Sequence, residues 1–225
     1  MERSVAILTI GQSPRTDLTP EMSWHWGDTS VKEYGALDGL SRIEIEALAP
    51  GEGEEPLTSR LSDGSSAVFG ASKILPRLGA VVARAESDGA DASLVVCGSE
   101  FPPVPHGRPL LWGSDLLHDG VAALCREGNV GVVRPLESQL DDAQRHWGRT
   151  LGRPPSALMA ANPYGGDPAE IASSVSREMP DCDVVVLDCF GYDESIASAV
   201  ASESTAVVIL SRSIVARLMA EFLAR

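Results

Sequence analysis

Two cysteines hold the residues with the strongest claim to chemistry in this chain. Cys189 follows the run Val184-Val185-Val186-Leu187-Asp188, and Cys97 follows Ala92-Ser93-Leu94-Val95-Val96. A short valine-rich apolar run predicts a strand buried on both faces of a parallel sheet, and the helical pattern from Asp193 makes the later stretch a strand-loop-helix unit. Both thiols then stand at carboxyl ends of strands, where open α/β sheets gather their ligand sites and the following helix presents its positive end. A thiol so placed is expected to have a lowered pKa. One such thiol in each half of the chain is the layout of a two-thiol acid/base catalyst. Only Cys189 is followed at once by a helix, so Cys189 is expected as the resting thiolate and Cys97 as the proton donor. The plainer reading of a free cysteine is a small buried hydrophobe, and Cys125, in the last turn of a predicted helix, is read that way.

Groups that could hold an anion follow the same geography. Arg15, Arg134 and Arg212 each come directly after an apolar strand run, which puts them on the cysteine side of a parallel sheet. A planar guanidinium can grip a carboxylate with two parallel hydrogen bonds. Gly11, Gln12 and Ser13 with Arg15 form the expected anion nest, since glycine allows close backbone approach. Ser99, Tyr192 and Arg212 are the second choices for the same task. The alternative for each arginine is a solvent-facing charge or an ion pair with one of the many acids.

The elements that must carry these residues alternate. Residues 5–10 read as a first strand feeding a turn, with Pro14 available to begin a helix that Trp24-His25-Trp26-Gly27 ends. The two neighbouring tryptophans suggest packing over a loop or a subunit contact. Residues 31–37 read as a strand, Ser41-Arg42-Ile43-Glu44 as a helix capping box, and the acidic stretch 50–56 as a solvated loop. Residues 67–69 form a brief predicted strand, and 71–87 a helix by the spacing of Ile74, Leu78 and Val82. Four prolines across 102–109 mark a crossing between lobes. Beyond it come strand 110–112, helix 114–126, strand 130–133, a helix to about residue 148, strand 156–161 and a helix capped by Asp167. The Cys189 strand, a helix over 193–202, strand 206–210 and helix 211–224 close the chain. This alternation predicts an α/β fold with a mainly parallel sheet. The 130–133 and Cys189 strands echo the 5–10 and Cys97 strands, which suggests a pseudo-twofold arrangement. The expected domains are a first lobe from residues 1–113 plus 205–225 and a second from 114–204.

Composition bounds the partners. The chain has 225 residues and a formal net charge of −14, a field that repels nucleic acid and anionic membrane surfaces, so neither is an expected partner. Four cysteines without a C-x-x-C pair, and no secretory segment or long apolar run, lead us to expect a cytoplasmic protein. The four histidines are isolated from one another and from the cysteines, so no metal is expected.

Four stretches carry a family resemblance. Ile7-Leu8-Thr9-Ile10-Gly11-Gln12-Ser13-Pro14-Arg15-Thr16-Asp17, Leu37-Asp38-Gly39-Leu40-Ser41, Leu187-Asp188-Cys189-Phe190-Gly191-Tyr192 and Leu210-Ser211-Arg212-Ser213-Ile214-Val215-Ala216-Arg217-Leu218 resemble the AroM family over nearly the whole chain. That family is similar to the aspartate/glutamate racemase superfamily, with its hydantoin racemases, maleate isomerases and arylmalonate decarboxylases. The resemblance implies two similar α/β lobes with mainly parallel sheets and an active site in the cleft between them. It also implies Cys97 and Cys189 as the two catalytic thiols flanking a small carboxylate. The amino-acid racemases follow their first cysteine with Asn-Thr and their second with Thr-His, whereas this chain has Gly98-Ser99 and Phe190-Gly191. The leading expectation is a cofactor-independent racemase-like enzyme on a small carboxylate, by racemisation, isomerisation, decarboxylation or lyase chemistry, with a homodimer as its candidate assembly. A non-catalytic carboxylate sensor retaining the fold is the alternative, and a thiol redox protein is a third reading.

Overall fold

A computed structural model describes residues 3–224, and the chain divides into two compact units. The first runs to Asp115 and resumes at Ala216; the second is Leu116–Val215.

In the first unit, β1 (Ser4–Thr9) lies between β2 (Ser30–Gly35) and β5 (Ala92–Val95), and β6 (Leu110–Trp112) lies outside β5. All neighbours are parallel. Val5, Ala6, Ile7 and Leu8 are fully buried, which is what a strand flanked on both sides and covered on both faces requires of its sequence. A short helix α1 (Thr19–Ser23) follows β1, and α2 (Arg42–Glu46) follows β2. The capping box on α2 is present: Glu44 N–H donates to the Ser41 hydroxyl while Ser41 N–H donates to the Glu44 carboxylate. Helix α1 starts at Thr19, later than Pro14 suggests, because the chain first turns on the Arg15 carbonyl, which accepts from Leu18 and Thr19. Trp26 is buried and donates its indole N–H to the Ala216 carbonyl at 2.9 Å, while Trp24 stays 81% exposed.

An antiparallel hairpin of β3 (Pro56–Arg60) and β4 (Ser66–Gly70) precedes the long helix α3 (Ala71–Ser87). Strand β3 has no counterpart in the sequence reading, since Thr58, Ser59 and Arg60 give it neither an apolar run nor a clean alternation. Helix α3 buries Ile74, Leu78, Val82 and Ala85, one face at the expected spacing.

In the second unit, β7 (Val130–Arg134) lies between β8 (Ala157–Ala160) and β9 (Val184–Leu187), with β10 (Val207–Leu210) outside β9, again all parallel. Helices α4 (Gly113–Leu124), α5 (Leu140–Leu151), α6 (Pro168–Glu178), α7 (Glu194–Glu203) and α8 (Ser211–Leu223) alternate with these strands. The first-lobe assignment of 205–225 needs correction: β10 bonds to β9 in the second sheet, and only from Ala216, inside α8, does the chain rejoin the first unit.

The two sheets share one strand order. Numbered within its own four strands, each sheet runs second, first, third, fourth: β2-β1-β5-β6 in one and β8-β7-β9-β10 in the other. β1 therefore corresponds to β7 and β5 to β9, the pairing that the sequence echo suggested.

Candidate active site

That correspondence extends past the strand ends into the cysteine loops. One residue beyond β5, Val96 N–H donates to the Leu8 carbonyl of β1; one residue beyond β9, Asp188 N–H donates to the Val133 carbonyl of β7, both at 2.9 Å. Cys97 and Cys189 are the next residues in each case. Each thiol then receives a backbone N–H from two residues on, Ser99 to Cys97 at 3.4 Å and Gly191 to Cys189 at 3.3 Å. An amide aimed at sulfur favours a thiolate over a thiol. The two cysteines thus occupy the same register, each with an amide two residues on aimed at its sulfur, in two sheets of the same strand order.

Around Cys189 the second unit builds a charged support. The carboxylate of Asp188 is 1% exposed, and its Oδ2 accepts from Arg134 Nη1 and from the indole N–H of Trp147, each at 2.8 Å. Arg134 ends β7 and Trp147 is a fully buried residue of α5 whose ring lies 4.3 Å from that of His118. Asp188 and Tyr164 were not singled out from the sequence. Tyr164, in the loop after β8, brings its hydroxyl to 3.9 Å from Cys189 Sγ. The loop carrying Cys189 is held from α8: Ser211 donates its hydroxyl to the Leu187 carbonyl at 2.6 Å, and Arg212 donates Nε and Nη2 to the Phe190 carbonyl at 3.2 and 2.7 Å.

The lowered pKa expected of Cys189 is opposed in this structure by burial. Burial pushes Cys189 above its ordinary value, and it outweighs the downward pull of the Gly191 amide, the Arg134 guanidinium and the Tyr164 hydroxyl; Asp188 adds to the upward push. The helix end invoked for a low pKa is already occupied, because the Asp193 carboxylate caps α7 by accepting from Ile196 N–H at 3.0 Å. Burial also pushes Cys125 and Cys182 upward.

The residues expected to grip a carboxylate are engaged with the protein itself. Ser13 donates its N–H and hydroxyl to the Asp38 carboxylate at 2.7 and 2.6 Å, and Gly35 N–H adds a third bond at 2.8 Å. The anion nest therefore exists, and its anion is Asp38. Gln12 bridges the Leu37 and Leu40 carbonyls and the backbone and hydroxyl of Ser62, tying this loop to the hairpin. Gly11 serves the same contact: a Cβ there would stand 2.4 Å from Ser59 Oγ and 2.6 Å from the Arg60 carbonyl. Arg15, 3% exposed, forms a two-point pair with Asp17 at 2.8 Å and donates to the hydroxyls of Thr9 and Ser59. Tyr192 is fully buried and donates to the Ala161 carbonyl at 2.6 Å, and burial holds its phenol well above its usual range. Ser99 is buried with its N–H on Cys97, and Arg212 is spent on Phe190 as above.

The second unit also has a cavity of about 410 Å³ between the end of β8 and α6, with Glu137, Asp167, Glu170 and Glu178 in its walls. None of the expected site residues lines it, and its acids would repel a carboxylate. Among the described residues no cluster of His, Cys, Asp or Glu could hold a metal ion, and no helix is long and apolar enough to cross a membrane.

Several solved structures share this fold. An arylmalonate decarboxylase variant in its liganded form matches with a TM-score of 0.65 at 13% identity, over 99% of this chain and 92% of that one. The aspartate racemase of Picrophilus torridus matches with 0.66 at 12%, over 99% and 94%. The maleate isomerase Iso of Pseudomonas putida matches with 0.63 at 14%, over 100% and 94%. At such identities the likeness establishes the racemase-like α/β fold. A search of curated protein sequences finds no match. The AroM protein family, in contrast, matches residues 5–223. Nearly the whole chain lies within that match, and the protein belongs to the AroM family.

Proposed function

We propose that this protein is a cofactor-independent, racemase-like enzyme in which Cys97 and Cys189 form an acid/base pair acting on a small carboxylate. In the proposed step, one thiolate removes the proton from the carbon beside the carboxyl group while the other thiol gives a proton to the opposite face, so each turnover exchanges the two protonation states. The observation that carries this reading is the equivalence of the two thiols: same register, same amide at the second residue on, in two sheets of one strand order. The fold neighbours, a decarboxylase, a racemase and an isomerase, support the reaction class. The carboxylate would be held by backbone N–H groups of the two cysteine loops. Arg15 and the Gly11–Ser13 turn, with Arg212 and Tyr192, would shape the loops around it.

A second reading, a carboxylate sensor without turnover, draws support from the upward push on Cys189, because burial that disfavours the thiolate works against its use as a base. Incubation with a panel of amino acids and substituted diacids in D2O, followed by proton NMR, separates the two. The enzyme reading expects loss of the α-proton signal of at least one compound. Thermal stabilisation by a compound that keeps its α-proton throughout supports the sensor.

A further inference from the structure

The loop after β8 contains a device that the two-thiol reading does not use. Asn162 closes this loop on itself: its side chain accepts from Tyr164 N–H at 2.9 Å and its carbonyl accepts from Gly166 N–H at 3.1 Å. The turn turns the Tyr164 ring onto the Cys189 loop, where the hydroxyl stands 3.9 Å from Sγ. The phenol packs against Gly191. A Cβ at that position would stand 2.6, 2.7 and 2.8 Å from Cζ, Oη and Cε1 of Tyr164, so any side chain there would displace the phenol. Gly191 also supplies the N–H that reaches the same sulfur from another side. A single residue thus donates one hydrogen bond to Cys189 and, by lacking a side chain, admits the second.

We propose that Tyr164 is a positioning residue for the Cys189 thiolate: its phenol keeps its own proton and donates a hydrogen bond to sulfur once the thiol proton has left for solvent or substrate, and Gly191 is the seat that admits it. The proposal deepens the acid/base role given to Cys189 and draws its significance from that role. The groups facing Cys189 are Arg134 at the end of β7, Asp188 beside it in the chain, Tyr164 and the buried Tyr192; Arg212 at the start of α8 holds the loop through Phe190. Arg134 and Asp188 act on sulfur with opposite signs. Tyr164 is the neutral donor that adds to the Gly191 amide on the side that favours a thiolate.

The test reads the thiol directly, so it holds whether or not a substrate is found. The rate of iodoacetamide alkylation at Cys189 is followed from pH 6 to 11 by mass mapping, with Cys125 and Cys182 in the same samples as internal references. Tyr164→Phe keeps the ring and removes the donor; the midpoint of the Cys189 profile should rise by about one pH unit, about tenfold in thiolate fraction below it. Gly191→Ala should raise it likewise, with little further change when combined with Tyr164→Phe. A merely structural role would alter the plateau rate at high pH and leave the midpoint where it was. An unmoved midpoint in Tyr164→Phe, with the reference cysteines unchanged, overturns the proposal.

Discussion

Removing the charge of Asp188 while keeping its shape should destabilise the fold and make Cys189 more acidic at the same time. Asp188→Asn retains one oxygen that can accept from Trp147 but deletes the counter-charge of Arg134, whose guanidinium is 6% exposed and bonded at 2.8 Å. Breaking a buried pair from one side costs about 3–5 kcal/mol, a large part of the roughly 5–15 kcal/mol that holds a domain folded. The same change withdraws a negative charge that pushes Cys189 up and leaves the positive one that pulls it down, so the thiol should shift down. Arg134→Met does the reverse to the thiol while destabilising the fold by a similar amount, since Asp188 is then the unpaired charge. The double variant should recover about 2 kcal/mol or more relative to the sum of the single changes. Urea denaturation at fixed pH measures the stabilities, and the pH profile of Cys189 alkylation measures the thiol. Thiol shifts of the same sign in the two single variants, or a cost under about 1 kcal/mol for Asp188→Asn, would refute the reasoning.

Three further outcomes follow from the structure. Asp38→Ala empties the nest formed by Ser13 and Gly35 and should cost about 2–4 kcal/mol; added formate should restore part of the lost melting temperature, and no response to formate would mean that the nest does not bind an anion. Cys189 is half-buried and the other three cysteines are buried, so Cys189 should be alkylated first at neutral pH for reasons of access; earlier labelling of Cys125 or Cys182 would contradict this. Cys125, Cys182, Cys189 and Tyr192 all have raised pKa values in the folded chain, so their stabilising contribution is whole below the unfolded values of about 8.5 and 10 and is lost as pH climbs through the folded ones. The melting temperature should fall above about pH 9, and a rise there would contradict the assignment.

The central strands could be read from the sequence because their burial leaves a direct mark. Val184–Leu187 must be apolar throughout when bonded on both edges and covered on both faces, and Val5–Leu8 obeys the same constraint. The alternation of strands and helices, and the matching of the Cys97 and Cys189 strands, followed from the same signal. Strand β3 left no such mark, because Thr58, Ser59 and Arg60 make it polar and it pairs only with β4 in a separate hairpin. The site was legible in its thiols and illegible in its supports. Arg15, Arg212 and Ser13 have the right chemistry in the right loops, but a sequence does not tell which acceptor a donor will meet, and here Asp17, the Phe190 carbonyl and Asp38 met them first. Asp188 reads as one more acid in an acidic chain until the fold brings Trp147 and Arg134 to it from 41 and 54 residues away. The lowered pKa expected of Cys189 meets an opposing push from burial, because helix position is visible in a sequence and burial is not.

The claim that both thiols serve one carbon is tested most directly by following α-proton exchange in D2O by proton NMR, for a compound turned over by the wild-type protein, in Cys97→Ser, Cys189→Ser and the double variant. Net inversion or turnover should be lost in both single variants, since each face needs its own thiol, while exchange on one face should persist in at least one of them and vanish in the double variant. Exchange at the wild-type rate in the double variant, or undiminished turnover in either single variant, would contradict the two-thiol account.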